Sequence, residues 1–249
     1  MPFDPSTRLR VNKAQGRRSV VLLSGGLDSA VSLKLALDAG EVVLALTCDY
    51  GQRAARREIE AARAMCRKLG VPHEVVDLPW LGRICRTALT RPGEELPHPE
   101  AAELDEPEKA QETARRVWVP NRNGVFVNVA AAYAEALGAD TVVCGFNAEE
   151  GATFPDNSAE FVEAASGALR LATLSQVRVW SPTQALSKRE IVEKGRALGA
   201  PLECIWSCYE GGPEHCFQCE SCKRLRRALE ASGSWEWFAQ RHQVALSRG

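Results

Sequence analysis

The chain has 249 residues, of which 45% are hydrophobic, and its formal net charge is −1 at neutral pH. A chain of this length buries enough apolar surface to fold without disulfides, so we expect one main domain with an appendage. The near-zero charge gives no reason to expect nucleic acid or an anionic membrane as partner of the whole protein. The sequence has no run of about 18 apolar residues, so we expect no membrane-spanning helix.

The N-terminal residues are polar and lack the apolar core of a secretory signal. We therefore expect residues 1–18 to form a flexible arm and the protein to be cytoplasmic. Because thiols stay reduced in that compartment, the nine cysteines favour metal binding or burial over disulfides. Five of them lie between Cys204 and Cys222, which favours a metal in that segment.

After the arm, the sequence predicts strands and helices that alternate in the order β-α-β-α-β. The apolar, β-branched run 19–23 is typical of a buried parallel strand, and helical spacing follows over residues 28–39. Further strands are predicted at 42–47 and 73–78, with a helix from about residue 53 to 70 between them. Such alternation predicts a parallel sheet with helices on both faces.

The rhythm breaks over residues 86–116, which are rich in acidic residues and proline. We interpret this segment as a variable, solvated or disordered insertion, in preference to a substrate lid. The alternation then resumes, which predicts one α/β domain over residues 19–200 and a cysteine-rich C-terminal segment over residues 201–249. The later predicted elements are a helix at about 124–137, a strand at 141–146, a helix at 159–173, a strand at 177–180 and a helix that starts at the capping box Ser187–Glu190 and ends at Gly199.

The stretch "SGGLDS", residues 24–29, joins the first strand to the first helix. Backbone N–H groups and a helix N-terminus in this position favour an anion, and the two glycines let the backbone approach it closely. The stretch lacks the lysine of a Walker loop and the spacing of a dinucleotide-binding loop. A plain turn with Asp28 or Ser29 as helix cap explains one or two of these residues but not the whole set. We therefore predict a phosphate-binding loop.

Four cysteines near the C-terminus have the spacing C-x7-C-x2-C-x2-C. Four thiolates with such short steps predict a closed, tetrahedral Zn²⁺ site of the structural kind. An iron–sulfur cluster is the alternative, although no proline follows the last cysteine. We expect Cys204 to be a packing residue, and His215 to be an ordinary loop residue or to lie beside the metal without binding it. The proposed ligands are Cys208, Cys216, Cys219 and Cys222.

The "SGGLDS" loop resembles the signature of the PP-loop ATP pyrophosphatases, which split ATP into AMP and pyrophosphate. Together with the cysteines and the segments "DYGQR", "VPNRNGVF", "GFNAEEGATFPDNSAEF" and "LSKREIV", it makes residues 19–227 similar to the 7-cyano-7-deazaguanine synthase family. The resemblance implies a Rossmann-like fold of the adenine nucleotide alpha hydrolase type, with a small C-terminal zinc-binding helical segment.

The resemblance also implies an AMP-forming carbon–nitrogen ligase of queuosine and archaeosine precursor synthesis. In that reaction ATP adenylates the carboxylate of 7-carboxy-7-deazaguanine, ammonia gives the amide, and a second ATP gives the nitrile. The implied cofactors are ATP, Mg²⁺ and Zn²⁺, and the implied partners are the deazapurine carboxylate and ammonia. A homodimer is compatible with the sequence, and we expect neither a membrane nor a nucleic-acid partner.

Site residues follow from the matching motifs. The resemblance gives catalytic roles to Asp28, Ser24 and Lys188, with Asp28 also placed to bind Mg²⁺ and Lys188 to contact phosphate. Singly, Asn123, Asp156 and Lys188 have equally plain structural interpretations as a turn residue, a cap and a surface residue. The implied nucleotide contacts are Leu23, Ser24, Gly25, Gly26, Leu27, Asp28, Ser29, Asp49, Tyr50, Arg122, Asn123 and Gly145. The implied substrate contacts are Gln52, Phe146, Asn147, Phe154 and Asp156.

The chain departs from the family pattern at two places. The family often has Tyr-Pro-Asp-Cys-Arg where this chain has Phe-Pro-Asp-Asn-Ser over residues 154–158, so an arginine suited to the substrate carboxylate is missing there. Phe217 follows the second cysteine of the cluster, where glycine is common. Three alternatives therefore remain: a relative that joins the deazapurine carboxylate to another amine, such as a protein's; a PP-loop tRNA-modifying enzyme that uses "CKRLRR" (222–227) to contact RNA; and a non-catalytic zinc module.

Overall fold

A five-stranded parallel sheet forms the centre of the protein in the computed structural model, which describes residues 16–91 and 93–242. The strand order is β3-β2-β1-β4-β5, so the first strand lies in the middle with neighbours on both sides. The strands are β1 (Arg17–Leu22), β2 (Gly40–Asp49), β3 (His73–Asp77), β4 (Thr141–Val143) and β5 (Arg178–Trp180).

Ten α-helices occur in the described ranges. They are α1 (Leu27–Ala39), α2 (Ala55–Leu69), α3 (Pro79–Ile84), α4 (Pro107–Val117), α5 (Arg122–Ala136), α6 (Ala148–Gly151), α7 (Ala159–Ala172), α8 (Lys188–Leu198), α9 (Glu220–Ala231) and α10 (Trp235–Arg241). Short 3₁₀ helices lie at Ala101–Asp105, Pro155–Asn157 and Leu202–Cys204. No helix among the described residues has both the length and the apolar character that crossing a bilayer requires.

The two faces of the sheet carry separate apolar cores. On one face, Val21 of β1 packs with Val31 of α1 and Ile191 of α8. On the other, Val20 of β1 packs with Ala130 of α5 and with residues of α7. Successive residues of a strand point to opposite faces, and each is buried here because helices cover both sides. The predicted fold class is confirmed.

Local signals place several helix ends correctly. Gly70 adopts a left-handed conformation at the end of α2, and Gly199 does the same at the end of α8. Ser187 and Glu190 form the reciprocal hydrogen bonds of the predicted capping box. The first strand begins at Arg17, two residues earlier than expected, so Arg17 and Arg18 belong to the sheet rather than to the arm. The rest of the predicted arm, up to residue 15, lies outside the described residues.

Residues 86–116 were predicted to be a solvated or disordered insertion, and the structure corrects the second part: most of these residues are exposed, but the segment is ordered. The segment contains a 3₁₀ helix and nearly all of α4. Leu89 and Leu96 of the segment are buried in a third core beside β2 and α3, where they pack with Tyr50 and with Val117 at the end of α4. Composition correctly indicated a polar surface, but two well-placed leucines suffice to dock the segment in a defined conformation.

The helix α9 is attached to this insertion. Arg224 Nη2 donates to the Leu104 carbonyl at 3.0 Å, and Arg227 Nη1 lies 2.6 Å from Asp105 Oδ2. Lys223 donates to the Pro99 carbonyl, and Arg226 pairs with Glu230 on its own helix at 2.8 Å. The cations of "CKRLRR" are therefore engaged within the protein.

Candidate functional site

The loop between β1 and α1 is tightly folded. Gly25 has a positive φ of 83°, and a Cβ there would lie 2.7 Å from the Glu58 carbonyl oxygen, so no side chain fits. Ser24 Oγ lies 3.1 Å from Ser29 Oγ, which itself donates to the Gly26 carbonyl at 3.0 Å. These bonds hold the loop in one shape, with the N-terminus of α1 directed at the cleft above the sheet.

Gly145 brings the next strand against this loop. A Cβ on Gly145 would lie 2.8 Å from the Ser29 backbone nitrogen and 2.9 Å from the Asp28 carbonyl carbon. The cleft lies at this point, between β1 and β4, where the strand order reverses. Ligands of open α/β sheets bind at such switch points.

We expect Gly145→Ala to weaken ATP binding at least about tenfold, because the backbone of the first turn of α1 must shift to admit the methyl group. Titration of ATP against the variant, followed by calorimetry, measures this. Gly167→Ala is the matched control, since a Cβ at that position of α7 meets nothing within 4 Å. Unchanged ATP affinity in Gly145→Ala would contradict the proposed close packing.

Lys188 lies between two acidic side chains at the mouth of the loop. Its Nζ is 2.8 Å from Asp28 Oδ2 and 2.7 Å from Glu150 Oε1, and the lysine side chain is only 11% exposed. Burial lowers the pKa of Lys188, but the two carboxylates outweigh this and raise it above its ordinary value. Burial raises the pKa of Glu150, yet the ammonium of Lys188 brings the net shift below the ordinary value. The lysine therefore stays charged.

Asp28 uses only one of its two carboxylate oxygens, Oδ2, in the pair with Lys188. Oδ1 is buried and accepts no hydrogen bond from any residue that the structure describes. A buried carboxylate oxygen normally has a partner, so an unpaired one is a candidate ligand for a cation. A hard divalent cation such as Mg²⁺ prefers this kind of oxygen.

Arg122 crosses the cleft from the start of α5. Its Nη1 donates to Tyr50 Oη at 3.4 Å, and no carboxylate of the described ranges lies within ion-pair distance of it. Burial lowers the pKa of Arg122, but the nearby Tyr50 and Asp156 raise it to a net value above the ordinary one. A buried guanidinium that keeps its charge without an acidic partner is suited to receive an anion.

The main cleft has a polar floor and an apolar wall. The wall consists of aliphatic, thiol and aromatic side chains from β1, β2, α5 and the residues that follow β4, a surface suited to a flat base. Predicted residues that line the cleft are Leu23, Ser24, Gly26, Leu27, Asp28, Ser29, Tyr50, Arg122, Asn123, Gly145, Phe146 and Lys188.

A smaller second cleft adjoins the first and shares Arg122, Glu150 and Lys188 with it. The predicted substrate residues Phe154 and Asp156 lie here, and Phe154 stacks on Trp118 at a centroid distance of 6.1 Å.

Asp156 is held at this second cleft by backbone and side-chain donors. Its Oδ2 accepts from the Asn123 backbone N–H at 3.3 Å, and its Oδ1 accepts from Asn157 Nδ2 at 3.1 Å. Burial raises the pKa of Asp156, although Arg122 opposes the shift.

Four predicted contacts lie behind the walls instead of in the lining of either cleft. Gly25 makes the turn, and Asp49 Oδ1 accepts from Gly51 N at 2.9 Å. Gln52 accepts from Tyr50 N at 2.9 Å and donates to the Cys48 carbonyl, and Asn147 Oδ1 caps α6. In this structure the bonds of Asp49 Oδ1, Gln52 and Asn147 Oδ1 hold the backbone around the site, whereas Asn147 Nδ2 is buried and has no partner among the described residues.

Several lining residues were missed by the sequence reasoning. Glu58 and Glu150 place carboxylates in the main cleft, and Tyr209 lines both clefts. Trp206, Ser207 and Ser221 come from the cysteine-rich segment. Glu150 and Tyr209 lie inside segments that resemble the family. The segments could therefore be assigned to the site, but nothing in the sequence singled out these two side chains as lining residues.

The four predicted metal ligands converge. The sulfur atoms of Cys208, Cys216, Cys219 and Cys222 all lie within 4.8 Å of one another. Backbone N–H groups point at one of these sulfurs: Gln218 N and Cys219 N lie 3.4 Å and 3.2 Å from Cys216 Sγ. Such donors stabilise thiolates, so the cluster is suited to hold a metal ion.

The neighbours of the cluster pack against it as expected. His215 Nε2 accepts from the Ser207 backbone N–H at 3.2 Å, and burial lowers the pKa of His215 to about 4, so the ring is neutral. Cys204 lies outside the group of converging sulfurs. Phe217 has a positive φ of 52°, which explains why glycine suits this position, and its ring packs edge-on against Trp235.

The cysteine-rich segment is joined directly to the phosphate-binding loop. The Trp206 backbone N–H donates to the Gly25 carbonyl at 2.8 Å, two residues before Cys208. The cysteine-rich segment and the glycine loop therefore both line the main cleft. A glycine loop at the switch point of a parallel sheet, with Asp28 and Lys188 beside it, defines an ATP-using protein of the PP-loop class.

Comparison with known proteins identifies the family within this class. Residues 18–233 match the model of the family described as Queuosine biosynthesis protein QueC. A 7-cyano-7-deazaguanine synthase of Pelotomaculum thermopropionicum is 56% identical over 87% of this chain and 98% of that protein. Its counterpart from Desulforamulus reducens is 54% identical over 86% of this chain and 94% of that protein. The chain belongs to the QueC family.

Solved structures resemble the chain less closely. The NMN synthetase of Francisella tularensis aligns over 96% of this chain and 92% of that chain, with 15% identity and a TM-score of 0.45. The family assignment therefore rests on the sequence relatives.

Proposed function

We propose that this protein converts 7-carboxy-7-deazaguanine and ammonia into 7-cyano-7-deazaguanine, with ATP split into AMP and pyrophosphate at each of two activations. The observation that carries the proposal is the glycine loop with Asp28 and Lys188 at the switch point of the sheet, in a chain of the QueC family. Relatives named 7-cyano-7-deazaguanine synthase at 56% and 54% identity support it.

The reaction needs a better leaving group on the substrate carboxylate. A carboxylate oxygen attacks the α-phosphorus of ATP, pyrophosphate leaves, and ammonia then displaces AMP from the acyl carbon. In this proposal the hydroxyls of Ser24 and Ser29 and the loop N–H groups hold the phosphates, and Lys188 neutralises charge that develops on the departing pyrophosphate. The second activation repeats these steps on the amide oxygen, and loss of AMP leaves the nitrile.

The substrate is assigned to the junction of the two clefts. Arg122 has no acidic partner within ion-pair distance among the residues that the structure describes, and we assign it to pair with the substrate carboxylate in place of the arginine that the segment 154–158 lacks. The aromatic pair Trp118 and Phe154 offers a flat surface beside it, and Asp156 offers an acceptor for the N–H edge of a purine-like ring.

Two metal ions belong to the proposal. Asp28 would hold Mg²⁺ through its unpaired Oδ1, and the ion would supply charge neutralisation at the polyphosphate. The four cysteines would hold Zn²⁺: a tetrahedral site with Zn–S bonds of about 2.3 Å separates its sulfurs by about 3.8 Å. Sulfurs within 4.8 Å of one another fit one ion better than an iron–sulfur cluster, which needs a wider cage. A cytoplasmic location, where these thiols stay reduced, completes the proposal.

The deciding experiment is an incubation with ATP, Mg²⁺, ammonium and 7-carboxy-7-deazaguanine. We expect AMP and pyrophosphate in equal amounts, two ATP consumed per nitrile, and the product mass by mass spectrometry. Appearance of ADP, or an unchanged deazapurine mass, would refute the proposal. Replacing ammonium with a primary amine tests the alternative acceptor, and we expect no coupled product.

A role in binding tRNA through α9 has no support from the structure. The basic residues of this helix are used in pairs with Asp105 and Glu230 and in hydrogen bonds to carbonyls of the insertion. Cations that are already paired contribute little to phosphate binding.

A further inference from the structure

Glu150 is a half-buried acidic residue for which the reaction above has no role. It lies on the four-residue helix α6, where its backbone N–H donates to Asn147 Oδ1 at 2.9 Å. Its Oε1 is 2.7 Å from Lys188 Nζ, and it lines both clefts. Its position is therefore fixed by the backbone of α6 while its carboxylate faces the reacting groups.

Lys188 pairs with two carboxylates, those of Asp28 and Glu150, so this group of three ionised side chains has a net charge of −1. Lys188 Nζ is almost equally close to Asp28, at 2.8 Å, and to Glu150. Asp28 has a second task in the proposed function, because its free Oδ1 is the candidate cation ligand. A divalent cation on Asp28 would repel the ammonium that occupies the other oxygen of the same carboxylate.

We propose that Glu150 is a positioning residue. It keeps the ammonium of Lys188 in the cleft when a divalent cation and ATP bind at the Asp28 carboxylate. This inference rests on the proposed function. With Glu150 present, the ammonium retains a carboxylate counter-ion at 2.7 Å after it gives up Asp28, and it stays directed at the phosphates. Without Glu150, the ammonium has Asp28 as its sole carboxylate partner, so the lysine and the cation compete for one group.

The neighbouring Glu149 provides a contrast. Its Oε1 accepts from the Lys188 backbone N–H at 2.8 Å, and its Oε2 lies 3.5 Å from Arg227 Nη2. Glu149 therefore touches the backbone of the same lysine and carries the same charge, but its carboxylate does not pair with the ammonium. It is the matched control on the same short helix.

The first test is the Mg²⁺ dependence of AMP release. We expect Glu150→Gln to raise the Mg²⁺ concentration for half-maximal rate about tenfold, since the amide keeps the shape but not the charge. Glu150→Asp, which restores the carboxylate, should recover most of this shift, and Glu149→Gln should leave the Mg²⁺ dependence unchanged. Thermal unfolding of each variant checks that the fold is intact. Equal shifts in Glu150→Gln and Glu149→Gln, or no recovery in Glu150→Asp, would overturn the inference.

The second test distinguishes action through Lys188 from direct binding of the cation by Glu150. Binding of Mg²⁺ and ATP is measured by calorimetry in Lys188→Met, with and without Glu150→Gln. If Glu150 acts through the lysine, the added substitution changes the affinity less than about twofold. A tenfold loss in that background would show that Glu150 itself holds the cation and would overturn the inference. This readout needs no turnover, so failure of the proposed reaction in the unsubstituted protein remains a separate result.

Discussion

Asp28→Asn should abolish AMP release, with a loss of at least about 10³-fold and an unchanged melting temperature. The substitution keeps the size of the side chain but removes the charge that pairs with Lys188 at 2.8 Å and the free carboxylate oxygen suited to Mg²⁺. In the proposed reaction both Lys188 and the cation would stabilise the departing pyrophosphate, so we expect the effect to fall on the chemical step. Single-turnover release of AMP with excess enzyme measures it directly.

Asp38→Asn is the matched control for this experiment. Asp38 lies on the same helix, α1, and its carboxylate pairs with Lys34 at the surface, away from the cleft. An exposed pair of this kind contributes little, so we expect normal turnover. A comparable loss in both variants, or turnover of Asp28→Asn within tenfold of the unsubstituted protein, would remove Asp28 from the catalytic machinery.

Cys219→Ala should release the bound metal and lower the free energy of unfolding by about 3 kcal/mol or more, which corresponds to roughly 10 °C in melting temperature for a chain of this size. Cys219 is fully buried in the cluster, and three remaining thiolates cannot complete a tetrahedral site. Metal content by mass spectrometry and thermal unfolding of the same sample measure both effects. Zinc in a one-to-one ratio is expected in the unsubstituted protein.

Metal loss should also weaken ATP binding, because Trp206 joins the cluster segment to the Gly25 carbonyl of the loop. Cys204→Ala controls for loss of a thiol in the same segment, and it should keep both the metal and the ATP affinity. Full metal occupancy in Cys219→Ala would contradict the four-cysteine site. Iron and sulfide in the unsubstituted protein would contradict the choice of zinc.

Features that depend on neighbours in sequence could be predicted well. The end of α8 at Gly199 and its capping box need only a few adjacent residues to specify them. The convergence of the four cysteines also follows from short spacing, since three of them lie within seven residues. The glycine loop is of the same kind, because strand, turn and helix are contiguous.

Features that depend on distant contacts could not be predicted. Leu89 and Leu96 look like isolated apolar residues in a polar segment, and their burial depends on a core that β2 and α3 build elsewhere. Glu150 beside Glu149 has the pattern of a solvated acidic turn. Its role emerges when the fold brings Lys188, 38 positions later in the chain, to within 2.7 Å. No local pattern carries that information.

Because α9 is attached to the insertion at residues 86–116, the insertion can complete its folding only after α9 has been synthesised. The bonds from Arg224 to Leu104 and from Lys223 to Pro99 join positions 120 and 124 residues apart. Contacts that close such long loops form late, and on the ribosome the insertion must wait for nearly the whole chain to emerge. Helix α9 begins immediately after Cys219 and contains Cys222, so loading of the metal fixes the end of α9 that holds the insertion. If the cluster binds a metal as proposed, we expect metal delivery to be a late step of folding, and we expect residues 93–117 to be more open to proteases in a chain synthesised without the metal.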